Sequence, residues 1–316
     1  MQERKPTTSG VRRAADRIAG HVTRTPLLPF GLNLWLKAES LQQGGSFKLR
    51  GASNRLLQLT PEERRRGVVA FSSGNHALGV ALAARALGID ATIVMPADAP
   101  AVKRRGTLAA GAKIIAYDRA IESREAIAAR IAAETGAILV PSFDDVDVIE
   151  GQGSVGVEIV EQLGEAPGII LVPCGGGGLA SGIALAAPDS RIVVVEPQGW
   201  DDMGRSLRQG EIVPVDEPAP PTLCDALQTK RVSPLTFEAL RQSGAGSMAV
   251  SEAEIRRAIR LGFEQFKLVI EPGGAAALAG LLSGEAPLQG QVVVVISGGN
   301  IDAALFAEIL AESGES

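Results

Sequence analysis

The chain has 316 residues, 46% hydrophobic and 21% charged, the balance of a soluble globular protein with one large or two modest domains. A net charge of −5 leaves no electrostatic footprint for DNA or RNA, and aromatics at 3% are too few for a single-strand stacking platform. No apolar run is long enough to span a bilayer, the opening Met1-Gln-Glu-Arg-Lys-Pro6 lacks an apolar signal core, and Cys174 and Cys224 make no disulfide framework, so a cytoplasmic protein without membrane contact is expected.

In chain order, the first segment of note is Ser46-Phe-Lys-Leu-Arg-Gly-Ala52, followed by a helical run over 53–59. Val68-Val-Ala-Phe71 reads as a buried strand and leads into Ser72-Ser-Gly-Asn-His76. Strands are predicted at 91–95, 113–116 and 137–140, with helices at 77–87, 101–110 and 120–133 between them. A second set of strands follows at 168–173, 191–196 and 291–297. Near-continuous β-branched strands spaced by helices predict parallel sheets covered on both faces. Two α/β units result, with a boundary at 143–149. The Pro-rich stretch 214–221 reads as a surface loop, and the charge runs 62–66 and 103–105 as solvated helix faces.

Four glycines, Gly175, Gly176, Gly177 and Gly178, close the apolar run 168–173 and open a small-residue helix. Such a turn brings several backbone N–H groups onto one oxygen-rich ligand, and the helix adds its positive end. An unliganded glycine turn is the plain alternative. A second ligand also fits: Gly175-Gly-Gly-Gly-Leu-Ala180 matches G-x-G-x-x-A, and Glu196 follows about 20 residues on, the fingerprint of an NAD-dependent oxidoreductase. Lys48 alone is a surface lysine at a helix start; beside a phosphate site it becomes an amine able to form a Schiff base with an aldehyde. Pyridoxal phosphate carries both handles. Ser72, Ser73, Asn75 and His76 serve equally as a helix cap and as a carboxylate-binding loop. Ser297-Gly-Gly-Asn300 is a third strand-end turn, and ligands gather at such ends. Glu196, Asp201 and Asp202 form an acidic cluster suited to Mg²⁺ or another hard divalent cation, or to plain solvation.

Together these segments resemble the pyridoxal-phosphate enzymes of the tryptophan-synthase β type (fold type II), and within them the serine/threonine dehydratase and serine racemase family. The resemblance runs in order through Gly45-Ser-Phe-Lys-Leu-Arg-Gly-Ala52, Ser72-Ser-Gly-Asn-His76, Gly151-Gln-Gly-Ser154, the four glycines, Glu271-Pro-Gly-Gly-Ala275 and Ser297-Gly-Gly-Asn300. It implies an α/β fold of two domains, each with a mostly parallel sheet flanked by helices. Residues 1–57 and 144–316 would form the large cofactor-binding domain, and 58–143 the small domain with the substrate loop. By the same resemblance Lys48 would hold the cofactor's aldehyde and act as general base. Phe47 would pack on its ring, Asn75 would bond its 3′ oxygen, the glycines would hold its phosphate, and Ser297 would face its ring nitrogen. Ser72, Ser73, Asn75, His76 and Arg124 would meet the substrate. Ser73 and Arg124 lean toward the racemase branch, where a serine acts on the face opposite the lysine. That branch's divalent-metal site maps to Glu196, the carbonyl of Trp200, and Asp202. Thr222-Leu-Cys-Asp-Ala226, Gly273-Gly274 and the bulky Trp200 depart from the usual pattern. The implied function is an ammonia-lyase converting L-serine or L-threonine to a 2-oxo acid and ammonia. The alternative is a serine (or aspartate-type) racemase with dehydratase side activity, and a homodimer is expected in either case. No regulatory C-terminal domain is expected after Asn300.

Overall fold

The computed structural model describes residues 4–72, 74–99, 101–118, 120–286 and 290–312. The apolar runs pair as two sheets. The first has six strands: β1 (Leu27–Gly31), β2 (Leu34–Ala38), β7 (Ile169–Pro173), β8 (Arg191–Pro197), β9 (Gly246–Val250) and β10 (Val292–Ile296), in the order β1-β2-β10-β7-β8-β9. The second has four: β3 (Val68–Phe71), β4 (Ala91–Pro96), β5 (Lys113–Tyr117) and β6 (Ile138–Leu139), in the order β5-β4-β3-β6. All pairings are parallel except β1 with β2.

The central strands show why they read as continuous apolar runs. Leu171, Val193, Val195, Val294 and Ile296 enter one core cluster, while the alternate residues Ile170, Val172, Val194, Val293 and Val295 enter another. Both faces of the six-stranded sheet are therefore buried under helices, as parallel sheets require. The four-stranded sheet shares a cluster with the Lys48–Leu57 helix, through Leu49, Ala52 and Leu56 against Val68 and Ala70.

Three strands escaped the sequence pattern. β1 carries Pro29 and ends on Gly31, and it lies at the sheet edge, where a missing N–H is tolerated. β2 continues from β1 through Asn33, at φ 62, and mixes Lys37 into an apolar run. β9 is a half-buried edge strand, Gly-Ser-Met-Ala-Val. The predicted strand at 137–140 shrinks to Ile138–Leu139, paired with Val68 and Val69.

Lys37 and Arg50 are fully buried. The Arg50 guanidinium holds Glu39 at 2.7 and 2.8 Å and Glu158 at 2.6 and 2.9 Å. Lys37 also reaches Glu158 at 2.6 Å, and the Thr25 carbonyl at 2.8 Å. Two cations thus face two carboxylates, and the network pins the first turn of the Lys48–Leu57 helix to β2 and to the Ser154–Leu163 helix.

Backbone packing fixes the same helix from the other side. A Cβ on Gly151 would lie 2.7 Å from Gly51 Cα, and one on Gly153 would lie 2.6 Å from the Gly182 carbonyl. Gly51 N–H donates to Gln152 at 3.0 Å. The Gly151-Gln-Gly-Ser154 segment is thus a packing junction joining the helix of Lys48 to the helix that follows the four glycines. Among the described residues, no helix is long and apolar enough to cross a membrane.

Candidate active site

Lys48 opens its helix just after Phe47, whose N–H donates to the Ser297 carbonyl at 3.2 Å. Ser46 and Gly298 form an isolated antiparallel bridge, so the lysine segment is tied to the end of β10. The Lys48 ammonium donates to the Ser142 carbonyl at 3.0 Å and lies 5.1 Å from the Phe47 ring centre. Burial lowers its pKa to about 8, against a smaller opposing pull from Glu271. At pH 7 about a tenth of the amine is then free, far more than for an ordinary lysine, and that fraction can act as nucleophile and base.

Asn75 begins the helix after β3. Its Nδ2 donates to Glu271 Oε1 at 2.5 Å, and its Oδ1 accepts from Asn300 at 2.9 Å. Asn300 also donates to the Gly44 carbonyl at 2.8 Å. The loops after β3 and β10 therefore meet although they belong to different sheets. Glu271 is buried, its Oε2 has no partner, and burial raises its pKa to about 7.

The glycine turn follows β7. Gly177 has φ 85, a left-handed conformation that favours glycine, and the Gly178–Ala186 helix starts directly after it. The N–H groups of Gly175, Gly176 and Gly178 are in buried residues and make no hydrogen bond among the described residues. Added side chains would crowd or strike neighbours: a Cβ on Gly176 would strike the Phe143 ring, one on Gly175 would lie 3.1 Å from Leu227 Cα and one on Gly178 3.1 Å from Phe143 Cβ. Phe143 thus packs on the turn directly after Ser142, the residue that receives Lys48.

Other predicted residues are placed as follows. Ser73 lies outside the described residues. The Ser72 hydroxyl accepts the Gly74 N–H at 3.2 Å and shapes the loop. His76 is buried with Nε2 2.8 Å from the Val140 carbonyl; burial and then Lys48 push its pKa down to about 3, so it is neutral and donates through Nε2. The Arg124 guanidinium stacks 5.5 Å from the Phe71 ring centre, beside the start of the loop, and pairs with Glu125 at 2.8 Å. Lys103, read as part of a solvated face, is instead 12% exposed at its side chain and ion-paired to Asp225. Sequence reasoning assigned no role to Ser142, Phe143, Glu271 or Asn300; only the Glu271-Pro-Gly-Gly and Ser-Gly-Gly-Asn300 motifs signalled two of them.

Glu196, at the end of β8, is fully buried and accepts the Met203 and Gly204 amides at 3.0 and 2.8 Å. Its full burial keeps a group as large as a ribose from reaching it, which removes the acidic residue that the dinucleotide reading needs. Neither oxygen of buried Asp202 makes a hydrogen bond, and burial raises its pKa to about 7. Burial, and then Asp202, hold Glu196 well above the ordinary carboxylate range. Trp200 is buried against Pro220, donating its indole N–H to that carbonyl at 2.8 Å. The Trp200 carbonyl accepts no hydrogen bond among the described residues.

A profile of the family described as "Pyridoxal-phosphate dependent enzyme" matches residues 18–298. This chain belongs to that family. It is similar to an L-threo-3-hydroxyaspartate ammonia-lyase from Pseudomonas sp., 41% identical over 95% of this chain and 97% of the relative. It is also similar to a serine racemase from Oryza sativa subsp. indica, 40% identical over 95% of this chain and 92% of the relative. Among solved structures, maize serine racemase superposes with a TM-score of 0.91 at 37% identity, covering 96% of this chain and 97% of that one. The two parallel-sheet domains are thus those of the fold type II enzymes, and the family activity is that of ammonia-lyases and racemases.

The residues present fit the family's cofactor. The unpartnered amides of the glycine turn, at the head of a nine-residue helix, suit a phosphate ester. Lys48 supplies a free amine. Asn75 keeps one N–H beyond that given to Glu271, enough for a ring oxygen.

Proposed function

We propose that this chain is a pyridoxal-phosphate-dependent ammonia-lyase acting on small β-hydroxy amino acids, L-serine or L-threonine among them. The observation that carries the reading is the Lys48 amine, held with lowered proton affinity and linked through Ser142 and Phe143 to the orphaned glycine amides. When bound, the cofactor supplies an aldehyde for the substrate amine and a conjugated ring that takes up electrons from the α-carbon. The Lys48 amine takes the α-proton as general base. The β-hydroxyl leaves as water, and a water molecule then adds to the resulting 2-imino acid, expelling ammonia and leaving the 2-oxo acid. Ser72, Ser73, Asn75 and the amides of their loop hold the substrate carboxylate at a helix N-terminus. Ser297 offers a hydroxyl, not a carboxylate, to the cofactor's ring nitrogen. It does not force protonation there, which suits an elimination whose leaving group departs quickly.

The relatives named for serine racemase support a second reading, in which Ser73 exchanges a proton on the face opposite Lys48 and Arg124 approaches the substrate. One assay separates the two. The protein is given L-serine, L-threonine and L-threo-3-hydroxyaspartate separately, and 2-oxo acid and the chirality of the remaining amino acid are measured. Formation of 2-oxo acid ahead of any enantiomer is expected; the enantiomer appearing first would overturn the lyase reading. In the racemase case Ser73→Ala loses racemisation and keeps elimination.

We also propose that Glu196, Asp202 and the Trp200 carbonyl hold a divalent cation. Asp202 has two unpartnered oxygens, and oxygen donors suit Mg²⁺ or Ca²⁺. Among the described residues no three His, Cys, Asp or Glu side chains form a metal cluster, so the carbonyl and water complete the set. Added Mg²⁺, Mn²⁺ or Ca²⁺ is expected to raise the unfolding temperature of the wild type and not of Asp202→Asn. An equal rise in both proteins would refute the site.

A further inference from the structure

The Lys103–Asp225 ion pair joins a helix of the four-stranded sheet to a loop of the six-stranded one. Lys103 stands on the Ala101–Ala109 helix, and its ammonium would be 3.6 Å from a Cβ on Gly74, so it lies against the loop assigned to the substrate carboxylate. Asp225 opens the short Asp225–Leu227 turn. That turn is wedged between the glycine turn and the start of the Pro272–Leu282 helix: Leu227 lies 3.1 Å from a Cβ on Gly175 and 3.2 Å from one on Gly273. The pair therefore closes a ring of residues running through the glycine turn, Asp225, Lys103, Gly74, Asn75 and Glu271. Both members act on buried Glu271, Lys103 lowering its pKa and Asp225 raising it, which places their charges beside the reacting region.

The two partners differ in freedom. The Lys103 side chain is 12% exposed and Asp225 43%. An ammonium has three donors, and among the described residues Asp225 is the one acceptor that the Lys103 ammonium meets. An exposed carboxylate can turn to water at little cost, whereas the Lys103 side chain is largely covered. A carboxylate arriving on the substrate's β-carbon would thus find a cation in place and a partner ready to yield. A hydrogen or methyl group there gives Lys103 nothing.

We propose that Lys103 is a specificity residue that exchanges Asp225 for a second carboxylate, so that the site favours β-hydroxy amino acids bearing a β-carboxylate over serine and threonine. The chemistry rests on the lyase reading; the binding does not.

The test separates them. L-Aspartate has the second carboxylate but no β-hydroxyl to lose, and L-alanine has neither. Their dissociation constants are measured on the holoenzyme from the change in cofactor absorbance. The wild type is expected to bind L-aspartate more tightly than L-alanine. Lys103→Gln should weaken L-aspartate by about 10- to 100-fold, the loss of one charge-assisted hydrogen bond, and L-alanine by no more than about threefold. Lys103→Arg, which keeps the charge, should retain most of the preference. For L-threo-3-hydroxyaspartate the Lys103→Gln loss should appear chiefly in KM rather than in kcat. Equal weakening of both ligands, or an undiminished preference for L-aspartate in Lys103→Gln, overturns the assignment. Selective, Lys103-dependent binding without 2-oxo acid from any substrate would uphold it while removing the lyase reading.

Discussion

Lys48→Ala should lower 2-oxo acid formation by about 10²- to 10⁴-fold, the range for loss of a positioned general base, while the protein still folds. The amine has a folded-state pKa of about 8 because it is buried, so its charged form is disfavoured by folding. In the cofactor-free wild type that cost is fully present below about pH 8 and fades as pH rises through about 10.4, the unfolded value. The variant loses the cost, so without cofactor its unfolding temperature at pH 7 should equal or exceed that of the wild type. Borohydride reduction of the wild-type holoenzyme should leave the cofactor on the peptide containing Lys48. Undiminished turnover in Lys48→Ala, or reductive labelling of another lysine, would remove the lysine from its role.

Arg50→Met is the largest stability change expected away from the site. It leaves Glu39 and Glu158 facing each other in the interior with Lys37 alone. Removing one member of a buried ionic network typically costs about 3–5 kcal/mol, because the surviving charges lose their compensation. For a chain of 316 residues that is a fall of roughly 5–8 °C in unfolding temperature. Arg50→Met with Glu39→Gln should recover part of the loss, since the second change removes a stranded charge. A fall of less than about 2 °C in the single variant would show that water reaches the network and screens it.

The parts of the fold legible in the sequence were those that repeat a physical pattern over several residues. Val292–Ile296 and Ile169–Pro173 read as strands because both faces are buried. β1 and β9 did not, because edge strands keep one side in water and carry no continuous apolar run. Lys48 and the glycine turn were visible as local motifs. The site's connecting contacts were not: Lys48 meets Ser142 across 94 positions and Asn75 meets Glu271 across 196. Nothing in the local spelling of Pro141-Ser-Phe143 announces that its carbonyl and ring join the lysine to the glycine turn. Lys103 was misread for a related reason. A basic run has the same composition whether it faces water or a carboxylate, and Asp225 lies 122 positions away.

The backbone contacts between Gly51 and Gly151, and between Gly153 and Gly182, bear on how this protein can be altered. Where two helices touch through main-chain atoms, no rotamer can give way, and even a methyl group must push the helices apart. Those four positions are therefore poor choices for randomisation in a combinatorial library, since most clones would displace the lysine from the glycine turn. Among the described residues, the loops after β3 and around Asp225 carry no such junction between helices, and diversity placed there would explore new substrates on an unshifted frame.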